Sequence, residues 1–167
     1  MIKLIVMDVD GTLTDGGLYY SNEGAETKKF CVKDGIGILM VQAVEKKCMI
    51  MTGKESDLVK KRAEDLHIEH VFQGIHNKKR CLMAFMKKEQ VAGDEILYIG
   101  DDLNDLGAMQ IAGRVGCPAD AAEEVKLLAD FISVYTGGNG AVRDILFKLL
   151  KEEGLYEKAI ENVYGSI

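Results

Sequence analysis

The chain has 167 residues, 47% of them hydrophobic, enough to bury one sizeable core, and its single proline marks no linker, so one domain over residues 1–167 is expected. A net charge of −6 argues against a nucleic-acid surface, and no apolar run approaches the ~18 residues that a membrane span needs. The N-terminus enters an apolar strand without a signal-peptide pattern, and Cys31, Cys48, Cys81 and Cys117 have no paired spacing, so a cytoplasmic protein is expected.

In chain order, apolar β-type runs alternate with helical patterns. Leu4-Ile5-Val6-Met7 reads as a strand covered on both faces. A Gly-rich segment follows, then Leu18-Tyr19-Tyr20, a turn at Ser21-Asn22-Glu23-Gly24, and Glu26 to Phe30. Together they predict a β-hairpin over about 17–31. Ile36, Leu39, Met40 and Val44 predict a helix from Gly35 to Lys46. Met49-Ile50-Met51 is the next core strand, and Ser56 to Leu66 the next helix. Val71-Phe72 predicts a short strand, Asn77 to Gln90 a helix, and Ile96 to Ile99 a buried strand. A helix from Asn104 to Ile111 and a strand at Val115-Gly116-Cys117 come next. Asp120 and Glu123 have the spacing of a capping box for a helix to Leu128. Phe131-Ile132-Ser133 closes the series, Ala141 to Glu153 is a final helix, and residues 154–167 read as a tail. Repeated strand–helix units predict an α/β fold with a doubly wound, mostly parallel sheet, whose ligands bind beyond the carboxyl ends of the strands.

Those strand ends carry the chemistry. The first strand runs into Asp8-Val9-Asp10-Gly11-Thr12, the second core strand into Thr52-Gly53, and a later one into Gly100-Asp101-Asp102 with Asp105 a helical turn beyond. Lys78 opens a helix. Clustered carboxylates resist shared ionisation unless a cation neutralises them, and an all-oxygen set suits Mg²⁺. A carboxylate beside Mg²⁺ can attack phosphorus, while a hydroxyl and a lysine stabilise the equatorial oxygens. No P-loop and no GxGxxG pattern is present.

Asp8-Val9-Asp10-Gly11-Thr12, Thr52, Lys78 and Gly100-Asp101-Asp102-x-x-Asp105 resemble the four motifs of the haloacid dehalogenase superfamily, over essentially the whole chain. The resemblance implies that Asp8 is the nucleophile and Asp10 the general acid/base. Asp8, the Asp10 backbone carbonyl and Asp101 would hold Mg²⁺. Thr52 and Lys78 would bind the phosphoryl group, with Lys78 favoured over its neighbour Lys79, and Asp102 or Asp105 would orient a metal-bound water or Lys78. The gaps between motifs hold only the hairpin, or one helix and one strand, so no large cap is expected and the site should be open.

Thr14-Asp15-Gly16, Lys29-Phe30-x-Val32-x-Asp34-Gly35-x-Gly37, Phe72-Gln73-Gly74 and Gly137-Gly138-x-Gly140-Ala141-x-Arg143 resemble the 3-deoxy-D-manno-octulosonate 8-phosphate phosphatase family, and Gly165-Ser166-Ile167 is similar to its mobile tail. This implies an acidic sugar phosphate substrate, a role in lipopolysaccharide assembly, and a homotetramer in which hairpins associate and neighbours help to close each site. Tyr19, Tyr20 and Phe30 would form the associating face. A related activity is the phosphatase for nine-carbon, sialic-acid-type 9-phosphates. A phospho-receiver domain, whose acceptor lies on the middle strand, and a non-catalytic assembly domain are further alternatives, weakened by the full set Asp8, Asp10, Thr52, Lys78 and Asp101.

An acidic sugar needs a cation for its carboxylate. Gly53 and Lys54 follow Thr52, and Lys54 stands where the octulosonate enzymes commonly have arginine, keeping the charge without the bidentate fork. Arg62 lies in a stripe with Leu58 and Leu66, either paired in an interface or aimed at a ligand. Arg143 either contributes to the rim of a neighbouring site or forms an ion pair at its helix start.

Overall fold

The run Leu4-Ile5-Val6-Met7 forms β1 (Leu4–Met7), all four residues buried, as an uncharged strand must be when layers cover both of its faces. The computed structural model describes residues 1–165; Ser166 and Ile167 of the expected mobile tail lie outside the described residues. A parallel six-stranded sheet is built around β1 from β4 (Lys47–Met51), β5 (His70–Phe72), β6 (Ile96–Ile99), β7 (Arg114–Cys117) and β8 (Phe131–Ile132), in the order β5-β4-β1-β6-β7-β8. Leu4 registers with Lys47 on one side and with Ile96 on the other. The chain thus winds outward from β1 through β4 and β5, then crosses back to β6. The strand order reverses between β1 and β6, the place where such sheets leave a crevice beyond their carboxyl ends.

Alternation along β1 divides the core. Ile5 and Met7 join Ile38, Val41, Ile50, Leu97 and Ile145 beneath α1 (Val32–Gln42) and α6 (Ala141–Glu152). Leu4 and Val6 join Met49, Met51, Leu82, Phe85 and Met109 on the opposite face, where α3 (Lys78–Glu89) and the one-turn α4 (Leu106–Met109) lie. At the far end of the sheet, buried Lys46 donates to the Ile2 carbonyl at 2.6 Å and pairs with Glu153, whose other oxygen accepts from the Ile2 amide.

Several boundaries differ from the sequence reading. The first long helix begins at Val32, before its apolar pattern starts, and the chain turns at Glu45, which takes a positive φ of 64°. Asp120 is not a cap: its Oδ1 accepts from the Gly137 amide at 3.0 Å, and α5 (Glu123–Lys126) starts after Ala122. The stripe on α2 (Asp57–Asp65) is Val59 and Ala63, one residue over from Leu58 and Arg62, and Leu58 is exposed. Within the tail, whose order the sequence leaves open, residues 156–164 form a helix. Leu155, Ala159, Ile160 and Val163 recur at helical spacing, and α7 (Tyr156–Tyr164) buries Ala159 against α1 and α6.

The expected hairpin is present as β2 (Tyr19–Tyr20) paired antiparallel with β3 (Glu26–Thr27). Leu18, Tyr19 and Tyr20 are exposed on it, at 57%, 46% and 64%. Phe30 does not share that face: it bridges to Thr14 and packs against the core beneath the Arg62 guanidinium. Among the described residues no helix is long and apolar enough to cross a membrane.

Candidate active site

Five chain segments meet at the switch point: the loop after β1, the ends of β4 and β6, the start of α3 and the loop 136–140. β1 runs into a tight loop over 9–13 in which Gly11 takes φ 91°, and a Cβ there would lie 2.2 Å from Asp101 Oδ2. Glycine therefore lets this loop lie directly against the carboxylate that ends β6. The loop 136–140 closes on it from above. A Cβ on Gly137 would fall 1.9 Å from the Gly11 carbonyl oxygen, and the Gly138 amide donates to the Thr12 carbonyl. The sequence marks Gly137-Gly138-x-Gly140 as part of a family motif, and this backbone-on-backbone contact is invisible in it.

Asp8 is 4% exposed, and its Oδ1 lies 2.8 Å from Lys78 Nζ. Lys78, 2% exposed at the start of α3, also binds Asp105 Oδ1 at 2.6 Å; Lys79 next to it is exposed. Asn77 sets the start of that helix by accepting from the Arg80 amide. Asp105 is fully buried and its oxygens are committed: Oδ1 also accepts from the Tyr98 hydroxyl at 2.7 Å, and Oδ2 from the Asp101 amide at 3.2 Å. Of the two candidates for orienting Lys78, Asp105 makes the contact. Asp102 faces the cleft and accepts from the Leu103 amide. Tyr98, read as a core strand residue, is an addition to the site. Asp101 Oδ1 accepts from Thr12 Oγ1 at 2.8 Å.

Burial, then the charge of Asp105, pushes the Asp8 carboxyl up to about 7 against the pull of Lys78. Burial raises Asp101 to about 6, opposed by the Thr12 hydrogen bond and reinforced by Asp105 and Asp102. Burial works against the Lys78 charge, but Asp8 and Asp105 outweigh it and hold its pKa above the usual lysine value. Carboxylate oxygens of Asp8, Asp101 and Asp105 lie within 4.8 Å of one another. Asp105 is taken up by Lys78 and Tyr98, which leaves Asp8 and Asp101 as hard oxygen donors, both with carboxyls raised by burial and by the charge of Asp105. That donor set fits a small divalent cation such as Mg²⁺.

A cleft of about 220 Å³ opens over these groups, lined by Asp8, Asp10, Thr52, Gly53, Lys54, Asp102 and Asn104. Nothing in the sequence but position marks Asn104. The cleft is smaller than the ~300 Å³ from which small-molecule sites usually start. A larger cleft of about 530 Å³, lined by Lys46, Cys48, His67 and His70 among others, sits at the amino ends of β4 and β5, away from these carboxylates. Asp10 in turn meets a partner the sequence reading missed: Lys28 of the hairpin places Nζ 2.6 Å from Asp10 Oδ1.

Arg62 and Arg143 are not brought into this cleft. Arg62 donates to the Cys31 carbonyl at 3.1 Å and lies over Phe30, at the hairpin base. The Arg143 amide donates to Asp34 Oδ1 and its guanidinium lies over Phe147. Among the described residues neither guanidinium has a carboxylate within ion-pair distance, so of the two readings of Arg143 the ion pair at its helix start is not formed there.

Residues 56–146 match the family model of the haloacid dehalogenase-like hydrolases, and this fold with its carboxylates at the switch point defines the chain as one of them. It is 37% identical to the 3-deoxy-D-manno-octulosonate 8-phosphate phosphatase of Escherichia coli K12, over 95% of this chain and 84% of that protein. Similar solved structures include that phosphatase from Moraxella catarrhalis in complex with magnesium ion, phosphate ion and KDO (TM-score 0.91, 40% identity, 95% of this chain and 91% of that one). The cobalt-bound form from Haemophilus influenzae is another (TM-score 0.87, 35% identity, 93% and 91%). The chain belongs to the 3-deoxy-D-manno-octulosonate 8-phosphate phosphatase family.

Proposed function

We propose that this chain is a Mg²⁺-dependent phosphatase that hydrolyses 3-deoxy-D-manno-octulosonate 8-phosphate to the free sugar acid and phosphate through an aspartyl phosphate on Asp8. The observation that carries the reading is the buried set Asp8–Lys78–Asp105 beside Asp101, beneath a cleft that also presents Asp10 and Thr52. Mg²⁺, held by Asp8, Asp101 and the Asp10 backbone carbonyl, supplies positive charge that lets the carboxylates ionise together and approach a phosphate.

The remaining work belongs to side chains. Lys78 holds the Asp8 carboxylate by one oxygen, leaving the other free to attack phosphorus. Lys78 and Thr52 offer donors to the phosphoryl oxygens as charge spreads over them. Asp10 gives a proton to the departing sugar oxygen. It then takes one from the water that attacks phosphorus and releases Asp8. Asp105 keeps Lys78 in place, with Tyr98 behind it. Asp102, at the cleft, orients water.

Gly53 and Lys54 receive the sugar, with Lys54 toward its carboxylate. The small cleft and its missing guanidinium are met by a homotetramer of single-domain subunits, in which Arg62 and Arg143 reach a neighbour's site. The exposed Leu18, Tyr19 and Tyr20 support that association; sedimentation as a monomer would remove this part. The protein works in the cytoplasm, without nucleic acid or membrane, in lipopolysaccharide assembly.

The test is kcat/KM for the eight-carbon 8-phosphate and a nine-carbon 2-keto-3-deoxy sugar acid 9-phosphate side by side. A preference of at least about tenfold for the eight-carbon compound is expected, the size that one or two pocket contacts produce. A preference for the nine-carbon compound would overturn the substrate assignment.

Metal binding carries its own pH signature. The raised Asp8 and Asp101 contribute stability that is complete below their ordinary 3.8 and lost as pH rises through about 6 to 7. Mg²⁺ competes with protons for the same oxygens, so the rise in Tm on adding Mg²⁺ is expected to be larger near pH 8 than at about pH 5. Differential scanning calorimetry across that range checks it, and a shift independent of pH would count against these ligands.

A further inference from the structure

The hairpin does more than expose Leu18, Tyr19 and Tyr20. Its last residues lead back to the nucleophile loop, and Lys28 turns inward there. The Lys28 side chain is only 2% exposed, with Nζ 2.6 Å from Asp10 Oδ1 and 3.4 Å from Glu26 Oε1. An ammonium whose side chain has so little contact with solvent is held by opposite charge, here two carboxylates. The backbone around Lys28 is tied on both sides. Thr27 pairs with Tyr19 in the hairpin, Phe30 bridges to Thr14, and Lys29 Nζ reaches Asn139 Oδ1 at 2.7 Å.

From this we infer that Lys28 is a positioning residue for the acid/base step: it holds Oδ1 of Asp10 and leaves Oδ2 as the oxygen that carries the proton. The inference rests on the phosphatase reading above. In the first half-reaction the bond from phosphorus to the substrate oxygen breaks as the bond from Asp8 to phosphorus forms, and the departing oxygen takes the proton from Oδ2. In the second, a water oxygen bonds to phosphorus, the bond to Asp8 breaks, and the water's proton returns to Oδ2. Asp10 is one-third exposed at the cleft, so without Lys28 its carboxylate is free to rotate among orientations that miss the leaving oxygen. Glu26 keeps the ammonium from following the substrate. The hairpin is thereby a part of the catalytic apparatus, and not only a surface for another subunit.

The leaving group tests this. Kinetic constant kcat/KM reports steps up to departure of the leaving group, so the second half-reaction does not enter it. For Lys28→Met with Mg²⁺, kcat/KM on p-nitrophenyl phosphate, whose phenolate leaves without a proton, is expected to stay within about threefold of wild type. On phenyl phosphate and an alkyl phosphate it is expected to fall about 10- to 100-fold, steepening the dependence on leaving-group basicity. Lys28→Arg, which keeps a donor, is expected to recover most of the loss. A parallel fall across the series, or no fall at all, would overturn the inference while leaving the phosphatase reading in place. A wild-type chain inactive on every member would overturn both.

Discussion

Asp8→Asn is expected to lower kcat by at least about 10⁴-fold, the scale on which losing a covalent nucleophile is felt. The substitution keeps the shape of the side chain and leaves Lys78 its second partner, Asp105 Oδ1 at 2.6 Å. The fold is therefore expected to survive. Stability moves in a direction that distinguishes this residue from an ordinary ion-paired aspartate. The Asp8 carboxyl is raised from 3.8 to about 7, by burial first and the Asp105 charge second, so its contribution to metal-free stability is complete below 3.8 and lost as pH rises through about 7. A neutral asparagine has no such loss. Metal-free Asp8→Asn is thus expected to melt no lower than wild type near pH 8. Steady-state kinetics and thermal melts on the same preparation check both halves. Undiminished turnover would remove Asp8 from the mechanism.

Lys78→Met carries the second large effect, on stability and activity together. Lys78 is the cation between Asp8 and Asp105, and its side chain is 1% exposed, so solvent does little to screen the pair. Without it two buried carboxylates face each other, one of them still held by Tyr98 and the Asp101 amide. Breaking a buried pair in this way costs on the order of 3–5 kcal/mol, and the loss is expected to grow as pH rises and Asp8 ionises. In the mechanism proposed above Lys78 is also a donor to the developing phosphoryl charge, so kcat is expected to fall by about 10²- to 10³-fold. Urea unfolding of the metal-free protein at two pH values reads the first quantity. A change below about 1 kcal/mol, the range of exposed pairs, would mean that Lys78 is not the counter-ion of this site.

How much of this was legible beforehand follows from what each feature depends on. The apolar runs at 4–7, 49–51 and 96–99 are local signals, and all three are core strands. Asp8, Thr52 and Asp101 could be brought together from sequence because each follows such a run, and parallel strands deliver their carboxyl ends to one rim. Boundaries were less legible where a local pattern met a tertiary competitor. Asp120 had capping spacing, but the Gly137 amide takes its oxygen. Arg62 has the spacing of a stripe with Leu58 and Leu66, but the helix is rotated so that Val59 and Ala63 face the core.

By itself, then, the sequence determined the layered α/β fold, the hairpin, and the residues at the strand ends, because periodicity and strand-end position are properties of short segments. The tertiary structure decided which of those residues touch. It placed Tyr98 behind Asp105, Lys28 on Asp10, and the loop at Gly137 on Gly11. It kept Arg62 and Arg143 out of the cleft. These contacts join positions far apart in the chain, and the direction of a side chain across such a gap is set by packing of the whole, which no local pattern encodes.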